Sequence, residues 1–522
     1  MKWEGWIVVV ALIAGVLLRL LSLDLRPMHT DEAVHAVKFG ELLEHGTYHY
    51  DKKEYHGPTL NYLTLIPAWL SSKNNLTEVT ETTLRIVPAL CGFSVILLLF
   101  LIKGLGRQAT AWAALLTACS PVTVFYSRYY IQEMLLVCFT FGFIVSLYRL
   151  LLSGKSIWAA LAGVQAGLMY ATKETWLISA GCMGLSLLVV ILLHRQKGER
   201  QYSLSLKNLG VVILAASLTA ILFFSSFTTN WNGVVDSLLA YQTYFQRAGE
   251  SGRHGHPWYY FLKLLTWSRG SEGPVWTEIA ILVFGLVGIW SALKDKTETD
   301  RSARDFKRFV GLYGLFMFIV SSAIPYKTPW LIVGAWQAFI VMAACAVVAF
   351  LEWFREQQWR HVGFAIVLLI IGHLAWQASL SNFKYCDDPG NPYVYAHPTK
   401  DVQHVAAMVE NAARHSGQGS SMPVLVVYPG DDYWPLPWYL RSLKHVGWWG
   451  NVEKDFSPTR VILASPEVEN ALLRKLYEEQ SPGHRILYVP LFADPVILRP
   501  GKEIRGYITF DLWEKIQKDP SK

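Results

Sequence analysis

Eleven apolar runs, near residues 6–23, 84–102, 109–126, 131–149, 157–172, 175–193, 208–227, 275–292, 308–324, 329–350 and 361–379, constrain this chain more than anything else in it. A run of about 17 to 25 apolar residues crosses the hydrocarbon of a bilayer as one helix, because inside lipid every backbone polar group must be satisfied within the segment. The composition agrees: 52% of the residues are hydrophobic and 14% aromatic, more than a soluble globular chain usually carries. The expected fold class is a polytopic α-helical membrane protein with about eleven spans. The net charge of +7 is spread between the apolar blocks and forms no basic stripe, which excludes a nucleic-acid-binding role. Five of the six cysteines, Cys91, Cys119, Cys138, Cys182 and Cys345, fall inside apolar runs and only Cys386 is in a polar region, so no disulfide framework is expected.

Loop charge sets the topology. Trp3 and Trp6 precede the first run, which is apolar except for Arg19 near its end; this suits an interfacial belt and an uncleaved first span with a snorkelling cation. The connectors 103–107, 149–155, 195–207, 294–308 and 355–360 all carry Lys or Arg, and the positive-inside rule puts them in the cytoplasm if the shorter apolar segment Thr59–Leu70 does not cross. That segment contains Pro67, follows Pro58 and is short for a span, so a re-entrant or interfacial helix is expected within a first outer loop over 24–83. The same parity gathers Asp31, Glu133, Glu174, His256 and Lys327 on the outer face and sends everything after Leu380 there. The expected organisation is therefore a membrane domain over 1–380 and an extracytoplasmic domain over 381–522.

The tail reads as a small α/β domain. Its apolar runs Val424–Tyr428, Val461–Ala464, Ile486–Val489 and Ile508–Leu512 have the length and composition of strands. Ser465-Pro466-Glu467 has the order of a helix start, with a capping hydroxyl, a first-position proline and an acid in the first turn. No glycine-rich phosphate loop or Cys/His cluster of metal-site spacing occurs in it. The stretch 431–439, DDYWPLPWY, is expected to pack on the membrane domain as a loop, with a sugar-stacking surface as the alternative.

Several polar groups lie where lipid makes them costly. In His29-Thr30-Asp31-Glu32-Ala33-Val34-His35, Thr30 is placed to cap a short surface helix with both acids in its first turn. The functional alternative is a carboxylate poised as general base, its neighbour orienting a partner, with His29 or His35 able to join an acid on a divalent ion. Arg128 and Glu133 share a short outer turn, as an ion pair or as site residues; Lys173-Glu174 repeats the pattern. Lys327, between Pro325 and Pro329, is placed either to snorkel or to meet a lipid phosphate as a point charge. In Arg253-His254-Gly255-His256-Pro257-Trp258-Tyr259-Tyr260 an aromatic belt explains the Trp and Tyr residues but not the histidines.

In their order these features resemble one family. The acidic pair after the first span, Tyr55-His56-Gly57-Pro58 ahead of a short apolar helix, Leu84-Arg85-Ile86-Val87-Pro88, Ser120-Pro121 followed by Tyr126-Ser127-Arg128 and Glu133, Thr172-Lys173, His256-Pro257-Trp258-Tyr259-Tyr260 and Lys327 resemble the C-type glycosyltransferases. More narrowly they are similar to the protein mannosyltransferase and lipid A aminoarabinose transferase superfamily, in the prokaryotic branch named for a flippase-associated protein of archaeal N-glycosylation. The resemblance covers about residues 1 to 380.

It implies a plasma-membrane (cell inner membrane) enzyme that transfers a hexosyl or pentosyl group from a polyprenyl-phosphate donor to a lipid, glycan or protein acceptor on the outer face. By that pattern Asp31 is the leading base with Glu32 beside it, and Glu133 is the second acidic site residue. Arg128, Lys173 and Lys327 are the candidates for the donor phosphate, and His35, His56, His256, Tyr259 and Tyr326 are expected to line the pocket. Relatives with a lipid pyrophosphate donor need a divalent ion, whereas several monophosphate users do not; a monophosphate donor and no metal or other cofactor is the expectation. The competing reading is a non-catalytic component of polyprenyl-linked sugar translocation, since charges in a membrane cavity also mark transport paths.

Overall fold

The computed structural model describes residues 3–53, 56–196, 204–248, 254–270, 273–295, 298–356, 359–453, 458–480, 483 and 485–518. Tyr55 and Arg253, named above, lie outside these residues, as do parts of three basic connectors, 197–203, 296–297 and 357–358.

Helices dominate up to residue 379. They are α1 (Trp3–Leu20), α2 (Thr30–His45), α3 (Thr59–Leu70), α4 (Glu81–Leu99), α5 (Gly106–Cys119), α6 (Pro121–Ser127), α7 (Glu133–Ser153) and α8 (Ser156–Tyr170). They continue as α9 (Trp176–Gln196), α10 (Leu206–Phe224), α11 (Asn232–Ala248), α12 (Tyr260–Thr266), α13 (Ile279–Lys294), α14 (Arg301–Ala323), α15 (Val333–Glu356) and α16 (Arg360–Ser379). Ten of the eleven apolar runs are single helices at their expected places, and the run 109–126 is the pair α5 and α6. Among the described residues eight are long and apolar enough to cross a membrane, or nine if α5 and α6, bent by 61° at their junction, count as one span. The two others, α8 and α13, have 15 and 16 residues, about 22 to 24 Å at 1.5 Å per residue against a core of about 30 Å. The segment Thr59–Leu70 is a helix of 12 residues, too short to cross, as expected of an interfacial or re-entrant element.

Small residues set the packing. A methyl group added to Gly163 or Gly167 on α8 would lie 2.4 Å from the Val212 carbonyl oxygen or 2.6 Å from that of Ala216, both on α10. Gly288 on α13 meets the Met342 carbonyl of α15 at 2.1 Å in the same sense. Such close approach supplies the van der Waals contact that holds helices together where no hydrophobic driving force exists.

Arg19 corrects one expectation. It does not snorkel: it is fully buried and donates to the carbonyls of Thr117 at 2.7 Å and Ala118 at 3.1 Å. These carbonyls are left open where α5 ends, and a cation there also complements the helix dipole.

Beyond residue 384 a small sheet domain follows. Its strands β1 (Val424–Val427), β2 (Val446–Trp449), β3 (Val461–Ala464), β4 (Tyr488–Pro490), β5 (Val496–Arg499) and β6 (Lys502–Thr509) run in the order β2-β1-β3-β6-β4, with β5 also on β6. β1 pairs parallel with β2 and β3, and β6 pairs antiparallel with β3 and β4. Every residue of β1 and β3 is buried, because both faces are covered. One face packs with Val402, Val405 and Val409 of helix α17 (Asp401–His415), the other with Val468, Leu472 and Leu476. Continuous apolar runs are what a strand covered on two sides requires.

Ser465 caps the turn after β3 by accepting from the Glu467 N–H at 3.3 Å, with Pro466 first in the helix. The run Ile508–Leu512 is a strand only to Thr509. Phe510–Gln517 is instead a helix that buries Leu512 and Ile516, four apart on one face, with Asp511 in its first turn. β2 and β5 escaped the apolar-run reading, which needs longer or more apolar strands. The 431–439 stretch docks on the first loop: Trp438 donates to Glu81 at 2.9 Å, and the Met28 N–H donates to the Tyr439 hydroxyl at 2.7 Å.

Candidate active site

The site is built around the start of α2. His29, not Thr30, is the cap: its Nδ1 accepts from the Asp31 N–H at 3.1 Å, while Glu32 reaches back to the His29 N–H at 3.1 Å. This is a capping box with an imidazole in place of a hydroxyl. The Thr30 hydroxyl is buried without a partner among the described residues. α2 is also no surface helix, since Glu32, Ala33, His35, Ala36 and Phe39 are buried.

The two neighbouring acids have opposite surroundings. Glu32 is fully buried and accepts from Arg85 Nε and Nη2, both at 2.7 Å, from the Tyr130 N–H at 2.8 Å and from Arg26 at 3.4 Å. Burial opposes ionisation, but the Arg85 and Arg26 guanidiniums overcome it and hold the Glu32 carboxyl down at about 2. Arg85 also donates to the carbonyls of Leu23 and Arg26, each at 2.8 Å. Glu32, expected beside Asp31 in the site, ties α2, α4 and the 128–132 turn together. Asp31 has 45% of its side chain exposed, and its only ionic neighbour among the described residues is His29 Nδ1 at 3.9 Å. Burial keeps His29 neutral. Among the described residues Asp31 is thus an accessible carboxylate without a cationic partner.

The expected pairings around it are rearranged. Among the described residues Arg128 does not pair with Glu133. It donates to the carbonyls of Leu21 at 2.6 Å, Ser22 at 2.8 Å and Leu18 at 3.2 Å, so it closes the C-terminal end of α1. Glu133, first residue of α7, pairs with Lys173, and both are buried. Glu174 turns away from Lys173 to His56 Nδ1 at 2.9 Å and the Tyr50 hydroxyl at 3.0 Å. His56 also meets the Tyr244 hydroxyl at 2.8 Å, and the His35 ring lies 6.2 Å from it. His35, one helical turn beyond Asp31, contacts Gln132 at 3.5 Å. Burial, reinforced by His56, pushes His35 down to about 3, so it stays neutral. Tyr244 links these groups to a further wall: its pKa is raised by burial first, then by Glu174, Glu133 and Tyr326.

On that further wall Lys327 is buried, and its ammonium donates to the carbonyls of His256 at 3.0 Å and Ile324 at 2.5 Å. It has no carboxylate partner among the described residues, and a lysine has three donors to place. The ring of His256 stacks on Tyr260, with centroids 4.3 Å apart. Tyr259, expected in the pocket, is 49% exposed and packs on Trp258: consecutive helix-start residues point apart, and its neighbour takes the inner place. Tyr326 is 38% exposed at the rim, with its ring 4.9 Å from His254. Among the described residues no three His, Cys, Asp or Glu side chains converge as metal ligands.

Residues 64–226 match the family model described as dolichyl-phosphate-mannose-protein mannosyltransferase. Among curated proteins, none matches the chain in sequence. Among solved structures, the chain is similar to ArnT from Cupriavidus metallidurans bound to undecaprenyl phosphate, with a TM-score of 0.61 and 16% identity over 97% of this chain and 98% of that one. ArnT from the same organism in the apo state gives a TM-score of 0.60 at 17% identity, with 97% of each chain covered. The chain therefore shares the C-type glycosyltransferase fold of these structures. The oligosaccharyltransferase of Archaeoglobus fulgidus, in a complex with Zn and sulfate, is similar at a TM-score of 0.51 and 14% identity, over 89% of this chain and 68% of that one.

Within this C-type glycosyltransferase fold, sequence reading passed over three groups. Arg26 and Arg85 were visible only as loop and motif residues, although an arginine at the start of an apolar run demands a buried partner. Glu278 accepts from Ser120 at 2.5 Å, the Val122 N–H at 2.8 Å, Tyr393 at 2.8 Å and Trp336 at 2.9 Å, and so holds the break between α5 and α6. Its one signal was an acid inside the apolar run 275–292. Tyr395 and His397, in the strap leading to the sheet domain, reach the site from a segment with no motif.

Proposed function

We propose that the chain is a membrane glycosyltransferase that moves a sugar from a polyprenyl-phosphate donor to an acceptor on the outer face of the plasma membrane. The observation that supports this best is the contrast among four clustered acids. Glu32, Glu133 and Glu174 are buried against Arg85, Lys173 and His56, whereas Asp31 is accessible and has no Lys or Arg partner among the described residues. A rigid charged frame around one free carboxylate suits a general base.

In this reading Asp31 takes the proton of an acceptor hydroxyl or amine as that atom bonds to the anomeric carbon. The anomeric C–O bond to phosphate breaks, its electron pair leaving with the polyprenyl phosphate. Negative charge grows on the phosphate, and Lys327, a cation satisfied by carbonyls alone, stabilises it. Lys173 stands second for that role because Glu133 already neutralises it. ArnT, of the same fold, is bound to undecaprenyl phosphate, and a lipid phosphate of that type is the carrier proposed here. Loop charge places the site and the domain over 381–522 outside, with the membrane domain ending near residue 380.

The test is transfer of radiolabelled sugar from a panel of polyprenyl-phosphate donors by the purified protein in lipid. Label that leaves the lipid with wild type but not with Asp31→Asn supports the reading. Saturable donor binding that survives Asp31→Asn, with no turnover of any donor, would move the assignment to sugar translocation.

A further inference from the structure

The strap between the helical and sheet domains enters the site. Tyr395 is half-buried, and its hydroxyl meets His254 Nδ1 at 2.8 Å and His256 Nε2 at 3.5 Å. Its ring packs on Trp330 at 5.7 Å, and the carboxylate of Asp31 is near enough to add to the upward push that burial gives its pKa. His256 in turn lends its carbonyl to the Lys327 ammonium at 3.0 Å. Tyr395 is thus joined through His256 to the group that holds the Lys327 ammonium and lies within electrostatic reach of the Asp31 carboxylate, the two groups between which the sugar of a donor lies if its phosphate meets one and its anomeric carbon the other.

Two residues on, the same strap carries an unused polar atom. His397 is 3% exposed, and its Nδ1 meets the Tyr395 N–H at 3.0 Å and the Tyr395 carbonyl at 3.2 Å. Its Nε2 is buried and has no partner among the described residues. The ring lies 4.9 Å from His29 and 5.3 Å from Tyr129, whose hydroxyl is also buried without a partner. Buried polar atoms are rarely left unpaired, and an exception calls for a ligand or a water. Aromatic faces beside neutral donors and acceptors match a sugar ring, with its apolar C–H face and its hydroxyls, better than they match a phosphate.

We propose that the strap Tyr393–His397 is the sugar-recognition element of the site, with the Tyr395 hydroxyl and the His397 Nε2 as its hydrogen-bonding groups. This rests on the donor reading above and goes beyond it, since it makes the entry to the sheet domain part of the sugar subsite.

The experiment compares binding of undecaprenyl phosphate alone with binding of undecaprenyl phosphate bearing a hexose or a pentose, by wild type, Tyr395→Phe and His397→Ala in lipid nanodiscs. Both variants are expected to hold the bare lipid phosphate as wild type does and to lose roughly tenfold in affinity for a sugar-bearing lipid. The bare lipid reports on folding, because a misfolded variant loses both. Equal loss on all three lipids by a variant whose melting curve matches wild type, or no loss on any, overturns the strap as a sugar subsite and leaves the donor reading standing. Failure of wild type to bind any of the three overturns both.

Discussion

Arg85 grips Glu32 side-on, Nε to one carboxylate oxygen and Nη2 to the other, both at 2.7 Å. The geometry is the bidentate one that only a guanidinium offers, and it is fully enclosed. Removing one partner leaves a buried charge uncompensated, which typically costs about 3 to 5 kcal/mol. Glu32→Ala is therefore expected to lower the thermal unfolding midpoint of the detergent-solubilised protein by many degrees, and Arg85→Lys to recover only part of the stability of the native pair. An unchanged midpoint in Glu32→Ala would show that the pair is not structural.

Its neighbour is expected to behave in the opposite way. Asp31→Asn keeps the shape of a side chain that is 45% exposed and has no cation to abandon, so the unfolding midpoint should stay within about a degree of wild type. Transfer should fall by about 10²- to 10⁴-fold, the usual worth of a positioned base. A variant that loses stability in step with activity would place Asp31 in the frame instead of the chemistry.

The difference between these two acids shows where sequence reading stops. Hydropathy located the helices because each apolar run must form its own hydrogen bonds in lipid, and loop charge singled out the turns that hold Glu133, Lys173 and Lys327. Partner choice was not legible. Arg128 sits five residues from Glu133, yet it caps α1, more than a hundred positions away in sequence. Lys173 passes over the adjacent Glu174 for Glu133, because residues adjacent in a tight turn point apart. In the tail, apolar strands β1 and β3 were legible, whereas the half-buried β2 was not. The strap that brings Tyr395 and His397 to the site has no periodicity at all, so only the folded chain reveals it.

The two buried lysines should separate binding from folding. Lys173→Ala strands the Glu133 carboxylate in a buried position, and a loss of stability of about 3 to 5 kcal/mol is expected, which Glu133→Gln in the same chain relieves in part. Lys327→Ala removes a charge that only carbonyls attend, so no acid is stranded and the unfolding midpoint should move less. Its expected effect is weaker binding of undecaprenyl phosphate, by about tenfold or more, as for the loss of a charged hydrogen bond. Titration of the bare lipid into both variants, beside their melting curves, checks the division. Lipid affinity unchanged in Lys327→Ala would remove it from the phosphate site.

Acid should unfold the protein in two stages whose sign follows from burial. His35 is held neutral down to about 3, against an ordinary value of 6.5, first by burial and then by His56. Between those values the unfolded chain binds a proton that the folded chain refuses, so stability rises with pH across the window and falls as pH drops below 6.5. Burial lowers His29 and His397 in the same direction, and they add to the same loss. Glu32, held at about 2 against 4.5 despite its burial, by Arg85 and Arg26, contributes stability present above 4.5 and lost below it. The unfolding midpoint is expected to be flat from pH 7 to 8, to decline from about 6.5, and to steepen below 4.5, since each pKa unit of difference is worth about 1.4 kcal/mol. His35→Gln should flatten part of the decline between 6.5 and 4.5 and leave the steeper lower limb in place. Melting curves across that range check this; an unaltered upper limb in His35→Gln would show that the ring is charged in the folded protein.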